Sequence, residues 1–237
     1  MSADVISCLR SLLIATTLTA PAGGADGAEQ GPACDPGTDY AVAIEAWKKA
    51  HRPDAAPVLE RPVRHPRLRE QLLRMRERDQ SVRDNPYPDW QAMRATDQAN
   101  TEQLIAIVEQ HGWPTAGLVG EDGADAAWLI VQHAPDVAVM KRFLALIDRH
   151  SATGAIPRRH FAYLHDRIAM LEGRPQLFGT QFRCDHADGR VVPYPFQDPV
   201  NIDALREAVG LYPIDLYWCA MIQVQEAPCG PALAPPG

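Results

Sequence analysis

HGWPTAGLVGEDGADAAWLIVQHAPD at residues 111–136 and FAYLHDRIAMLEGRPQLFGTQ at residues 161–181 decide how this chain reads. Ala124 to Ala134 is apolar nearly all round, as in a helix buried on most sides. Its one strongly polar pair, Gln132-His133, stands at the end of that run. In the second stretch Phe161, Leu164, Ile168 and Leu171 form a helical stripe, with Tyr163, Asp166 and Met170 on the neighbouring face. Asp166 is thereby expected at the edge of the core, beside Arg167. A polar side chain in apolar surroundings is costly unless paired. These groups are therefore either an internal hydrogen-bond network or a site, and both readings stay open.

Working outward, more helices carry the same signature. Pro66 suits a first helical position. Leu68, Leu72, Met75, Asp79 and Val82 follow at spacings of four, three, four and three. Asp79 sits inside that stripe, and Arg83 is one turn on, within reach. Asn85-Pro86-Tyr87-Pro88 ends the helix. The next runs from about Asp89 to His111, with Met93, Asp97, Asn100, Leu104, Val108 and His111 on one face. Gly112 and Pro114 stop it, and Glu121-Asp122-Gly123 reads as a turn. Pro135 opens a helix to about His150, with Val137, Met140, Phe143, Leu144 and Ile147 inward. Pro157 opens the next one, and Gly173 with Pro175 closes it.

The period then changes. Gln176–Cys184 and Arg190–Phe196 flank Asp185-His186-Ala187-Asp188-Gly189, which predicts a β-hairpin. Asn201 can cap a helix that Gly210 ends, and Leu211–Val224 is a last short helix. Nearer the start, Asp39 can cap a helix through about His51, and Arg52–Arg64 is broken by Pro53, Pro57 and Pro62. The fold class is mainly α, a compact helical domain with one small hairpin near the C-terminal third.

At 237 residues, one domain with tails is expected. We divide the chain into a signal peptide at 1–22, a flexible linker at 23–37, a single helical domain at 38–225 and a disordered tail at 226–237. The N-terminus has Arg10, an apolar run over about ten residues, and Ala20-Pro21-Ala22 as a small-x-small site. That predicts a secreted or periplasmic protein. The alternative is a cytoplasmic protein with a disordered extension. Without Cys8, four cysteines remain: Cys34, Cys184, Cys219 and Cys229. In an oxidising compartment they allow two disulfides in three connectivities. No apolar run is long enough to span a membrane. A net charge of −7 argues against a nucleic-acid partner.

The motif order resembles a bacterial family, domain of unknown function 6624. The matching residues are Asp79-Gln80 with Arg83, Gly112-Trp113-Pro114, Val119-Gly120, Trp128 with Gln132-His133-Ala134, Asp166-Arg167, Gln176-Leu177-Phe178-Gly179-Thr180-Gln181, and Arg206 with Gly210-Leu211. The family's motif order and spacing are reproduced from about residue 68 to 217, with Phe178 where the family usually has Tyr. The resemblance implies a shared helical domain and supplies no activity.

Known chemistry motifs are missing from the sequence: no nucleophile elbow, no phosphate-binding glycine loop, no dinucleotide fingerprint, no H-E-x-x-H. His160 and His165 are splayed by about 140° around a helix. Asp185-His186-x-Asp188 reads as a solvated loop before a metal site, so neither metal nor cofactor is expected. His133 is the candidate general acid or base, oriented by Asp79 or Asp166. Arg83 and Arg167 can hold a small anionic ligand, and Gln132, Gln176 and Gln181 a polar one. Asp79, Arg83, Gln132, His133, Asp166, Arg167 and Gln181 are expected to converge on one polar cluster. Two functions follow: a non-catalytic binding or structural module, or a hydrolase using His133 with Asp79 or Asp166.

Overall fold

The computed structural model describes residues 31–51, 63–84, 89–185 and 189–224. The signal-peptide, tail and His186–Asp188 expectations fall outside them, as do most of the linker and most of Arg52–Arg64. The described residues form eight helices and one hairpin: α1 (Tyr40–His51), α2 (Pro66–Ser81), α3 (Trp90–His111), α4 (Ala116–Gln132), α5 (Val137–Ala152), α6 (Arg158–Leu171), β1 (Phe182–Asp185), β2 (Arg190–Pro193), α7 (Ile202–Ala208) and α8 (Ile214–Val224). The mainly helical class is as the periodicity predicted. The chain divides into two compact units, residues 55–164 in one, and 1–54 with 165–237 in the other. No helix among the described residues is long and apolar enough to cross a membrane.

In the 55–164 unit, α2 buries Leu68, Leu72, Met75 and Asp79, four of the five stripe positions. It packs most extensively on α4. Asp89 caps α3 by accepting from the amides of Gln91 and Ala92, and Asp136 caps α5 through the amide of Ala138. Such a cap satisfies donors that a helix start leaves without partners. The buried face of α3 is Asn100, Thr101, Leu104 and Ile107, turned slightly from the predicted one, with His111 exposed. Asn100 is tolerated because its amide donates to the Met75 carbonyl and accepts from Arg78. It pins α3 to the backbone of α2.

Helix α4 begins earlier than the apolar run suggested. The turn expected at Glu121-Asp122-Gly123 is helical, and the break lies at Gly120, with φ 78° and ψ 165°. A side chain there would meet the strain of positive φ and the Val63 methyl at 3.3 Å. Asp122, within the helix, accepts from the Gly123 amide and pairs with Arg69.

In the other unit, α8 packs on α1, β2 and α7. Its core faces bring Tyr217 and Trp218 onto Phe182. The Trp218 indole donates to the Val191 carbonyl at 2.9 Å. The hairpin pairs Phe182 with Pro193 through Asp185 with Arg190. It is shorter than expected: Gln176–Gln181 is a folded loop. Asn201 precedes α7 but makes no side-chain cap bond; its Nδ2 donates to Asp198. Cys34 and Cys219 form a disulfide across 185 residues of sequence. Cys184 is also disulfide-bonded.

Candidate functional site

Three helices of the 55–164 unit deliver an ionic network. Asp79 comes from the last turns of α2, Asp97 from α3, and His133 caps the C-terminus of α4. Arg83 follows α2 by half a turn. The His133 Nδ1–H donates to both carboxylate oxygens of Asp79, at 2.7 and 3.0 Å. Arg83 lies 3.1 Å from the same carboxylate, donates to the Asp79 carbonyl, and reaches Asp97 at 2.6 Å. The Gln80 amide donates to Asp79 at 2.7 Å. The i, i+4 reach of Arg83 to Asp79 is as the spacing predicted.

Burial acts most strongly on Asp79 and works to raise its pKa. The His133 hydrogen bond, the charges of His133 and Arg83, and the Gln80 bond together outweigh it, so the carboxyl ends below its ordinary value of 3.8. On Asp97 burial wins over the Arg83 bond, and the pKa is raised. The chain thus holds one tightly ionised carboxylate and one more easily protonated.

Asp79, Asp97 and His133 each bring a ligand atom within 4.8 Å of the others. That donor set would suit a divalent cation by type. The Arg83 guanidinium already bridges both carboxylates, so an ion would have to displace it. Asp97 is the member that sequence reasoning missed. Its signal was present, as an acid interrupting the α3 stripe.

Asp166, Arg167, Gln176 and Gln181 belong to the other unit. Asp166 is fully buried rather than at the core's edge. Its carboxylate accepts from the amides of Leu177, Phe178 and Thr180 and from the Thr180 hydroxyl. Arg206, also fully buried, grips the other side by donating to the carbonyls of Phe178, Gly179 and Tyr212. Gly179 has φ 66°, and a Cβ there would lie 2.8 Å from the Ile214 methyl. Gln176 uses its whole amide on this loop, donating to the carbonyls of Gln181 and Tyr194 and accepting from the Gln181 amide. Its side chain therefore organises the loop. Gln181 donates to the Thr180 hydroxyl, and its Oε1 has no partner among the described residues. The Gln132 Nε2 is likewise buried without one. Arg167 is buried. Arg206 and Thr180 were not picked out as site residues. Their signal was membership of the motif set.

His160 stands apart from the network. It stacks on Trp128 at 4.3 Å with planes 4° apart. Burial, aided by Arg159, holds its pKa well below 6.5. The unfolded chain takes up this proton below about pH 6.5, whereas the folded chain does not. Stability must therefore fall as pH drops through 6.5, by at most about 1.4 kcal/mol per pH unit from this residue. His160→Phe keeps a ring on Trp128 and removes the titration. We expect its urea midpoint to vary less between pH 6.5 and 5 than that of the wild type. An identical slope in the two proteins would refute the assignment.

The fold and site thus define a helical module with a buried ionic network. The chain belongs to the family of unknown function DUF6624, which matches residues 66–226. No curated protein and no solved structure matches.

Proposed function

We propose that this chain is a non-catalytic, extracytoplasmic binding module in which the Asp79–Arg83–Asp97–His133 network is structural. The observation that carries this is burial: the Asp79 and His133 side chains are 1% and 2% exposed. A general base must reach its substrate's proton directly or through one water. Here the acid and the imidazole face each other and Arg83. The disulfide at Cys34–Cys219 supports the compartment, because such bonds persist in oxidising environments.

The hydrolase reading keeps one supporting observation. A carboxylate 2.7 Å from Nδ1 is how an imidazole is oriented for proton transfer. His133→Ala separates the two. In a structural network it leaves Asp79 short of a partner, and the unfolding free energy falls by about 1–3 kcal/mol. A variant as stable as the wild type would show that the fold does not need the imidazole, and would favour the hydrolase reading instead.

A further inference from the structure

The N-terminal arm is attached differently from the rest of the unit it belongs to. Helix α1 has a single buried residue, Ile44, and Val42 is 63% exposed. Trp47 meets Tyr212 edge-on at 6.1 Å. Polar and covalent ties add to this packing. The Gln223 amide clasps the arm's backbone, accepting from the Tyr40 amide and donating to the Thr38 carbonyl. Cys34 is bonded to Cys219, which is buried in the middle of α8. Tyr212, Cys219 and Gln223 lie inside the span that matches the family, whereas the match begins at Pro66, after the arm.

We propose that residues 34–51 are a disulfide-latched arm that occupies, within its own chain, a helix-receiving face formed by Tyr212 and α8. A twelve-residue helix is marginal on its own in water. Its apolar hold is one fully buried residue, Ile44, with Tyr40, Ala43 and Trp47 only half-buried. The disulfide supplies what those contacts lack, by restricting the undocked arm. Opening the latch takes two electrons. A dithiol reductant transfers them with two protons, the Cys34–Cys219 bond becomes two thiols, and the reductant becomes a disulfide. The arm then leaves, and the face accepts a short amphipathic helix. Such a helix would place an aliphatic residue where Ile44 sits, an aromatic where Trp47 sits, and a free backbone amide for Gln223. This inference stands apart from the reading of the His133 network.

The test uses the full chain carrying Cys34→Ala and Cys219→Ala, kept without reductant so that the Cys184 disulfide is untouched. Hydrogen exchange is compared with that of the oxidised wild type. Amides of Ala43–Ala50 should lose protection by about 30-fold or more, the lower end of a disulfide's usual contribution expressed as an equilibrium constant. Amides of α4, α6 and α8 should keep theirs. A synthetic peptide of residues 34–51 with C34S should bind the variant and not the wild type. Unchanged protection in α1 would overturn the latch. Protection lost together in α1, α8 and the hairpin would overturn a separable arm, as would failure of the peptide to bind.

Discussion

Asp79→Ala is expected to lower the unfolding free energy by about 3–5 kcal/mol, the usual cost of breaking a buried ion pair by removing one partner. Asp79 is 0% exposed and answers three donors at once: His133, Arg83 and Gln80. Without it, His133 faces a cavity, and Arg83 is left with Asp97 as its carboxylate. Asp79→Asn is the sharper control. It keeps the volume but presents an amide with two N–H donors to groups that also donate. It should cost more than half of what alanine costs, although it removes no packing. The pKa direction adds a second signature. The Asp79 carboxyl is lower in the folded chain than its ordinary 3.8. Its contribution is therefore complete above about pH 4 and is lost as pH falls through the folded value. Both variants should be less sensitive to acid in that range. Urea unfolding at neutral pH checks the main effect, and a loss below about 1 kcal/mol for alanine would mean that the network is not structural.

The sequence carries one half of this network openly. The spacing from Leu68 to Asp79 places an acid on a core face, and the α4 run places His133 at the end of an apolar helix. What spacing cannot convey is that the two meet across 54 residues. Periodicity orients each helix toward the core but does not say which neighbour it finds there. Asp97 shows the same limit: its place on the stripe was legible, its partner was not. The loop at Gln176–Gln181 failed for a different reason. Q-L-F-G-T-Q leads directly into the strand at Phe182, yet the backbone donors of Leu177, Phe178 and Thr180 go to a side chain, Asp166, while Gln176 alone of these four donates across to Pro195. A carboxylate that organises backbone from a helix eleven or more residues earlier leaves no periodic trace. The break in α4 was misplaced because Glu121-Asp122-Gly123 has turn composition, while the conformation that requires glycine is Gly120.

Asp166→Ala should also cost about 3–5 kcal/mol, for reasons that concern backbone rather than ion pairing. Three amides, of Leu177, Phe178 and Thr180, turn toward its carboxylate along with the Thr180 hydroxyl. A buried donor left unsatisfied costs about 1–3 kcal/mol. The losses are not additive, since one loop can shift to relieve several at once. That shift is restricted. Arg206 holds the Phe178 and Gly179 carbonyls, and Gly179 stands against Ile214 with no room to move toward it. Thr180→Val removes the hydroxyl, which donates to Asp166 and accepts from the Gln181 side-chain amide, and should cost less than Asp166→Ala, about 1.5–3 kcal/mol. Hydrogen exchange distinguishes this from general weakening. In Asp166→Ala the amides of Leu177, Phe178 and Thr180 should exchange much faster, while those of α2 and α3, in the other unit, keep their protection relative to global unfolding. If the loop amides stay as protected as before, some other acceptor holds them, and the loop does not depend on Asp166.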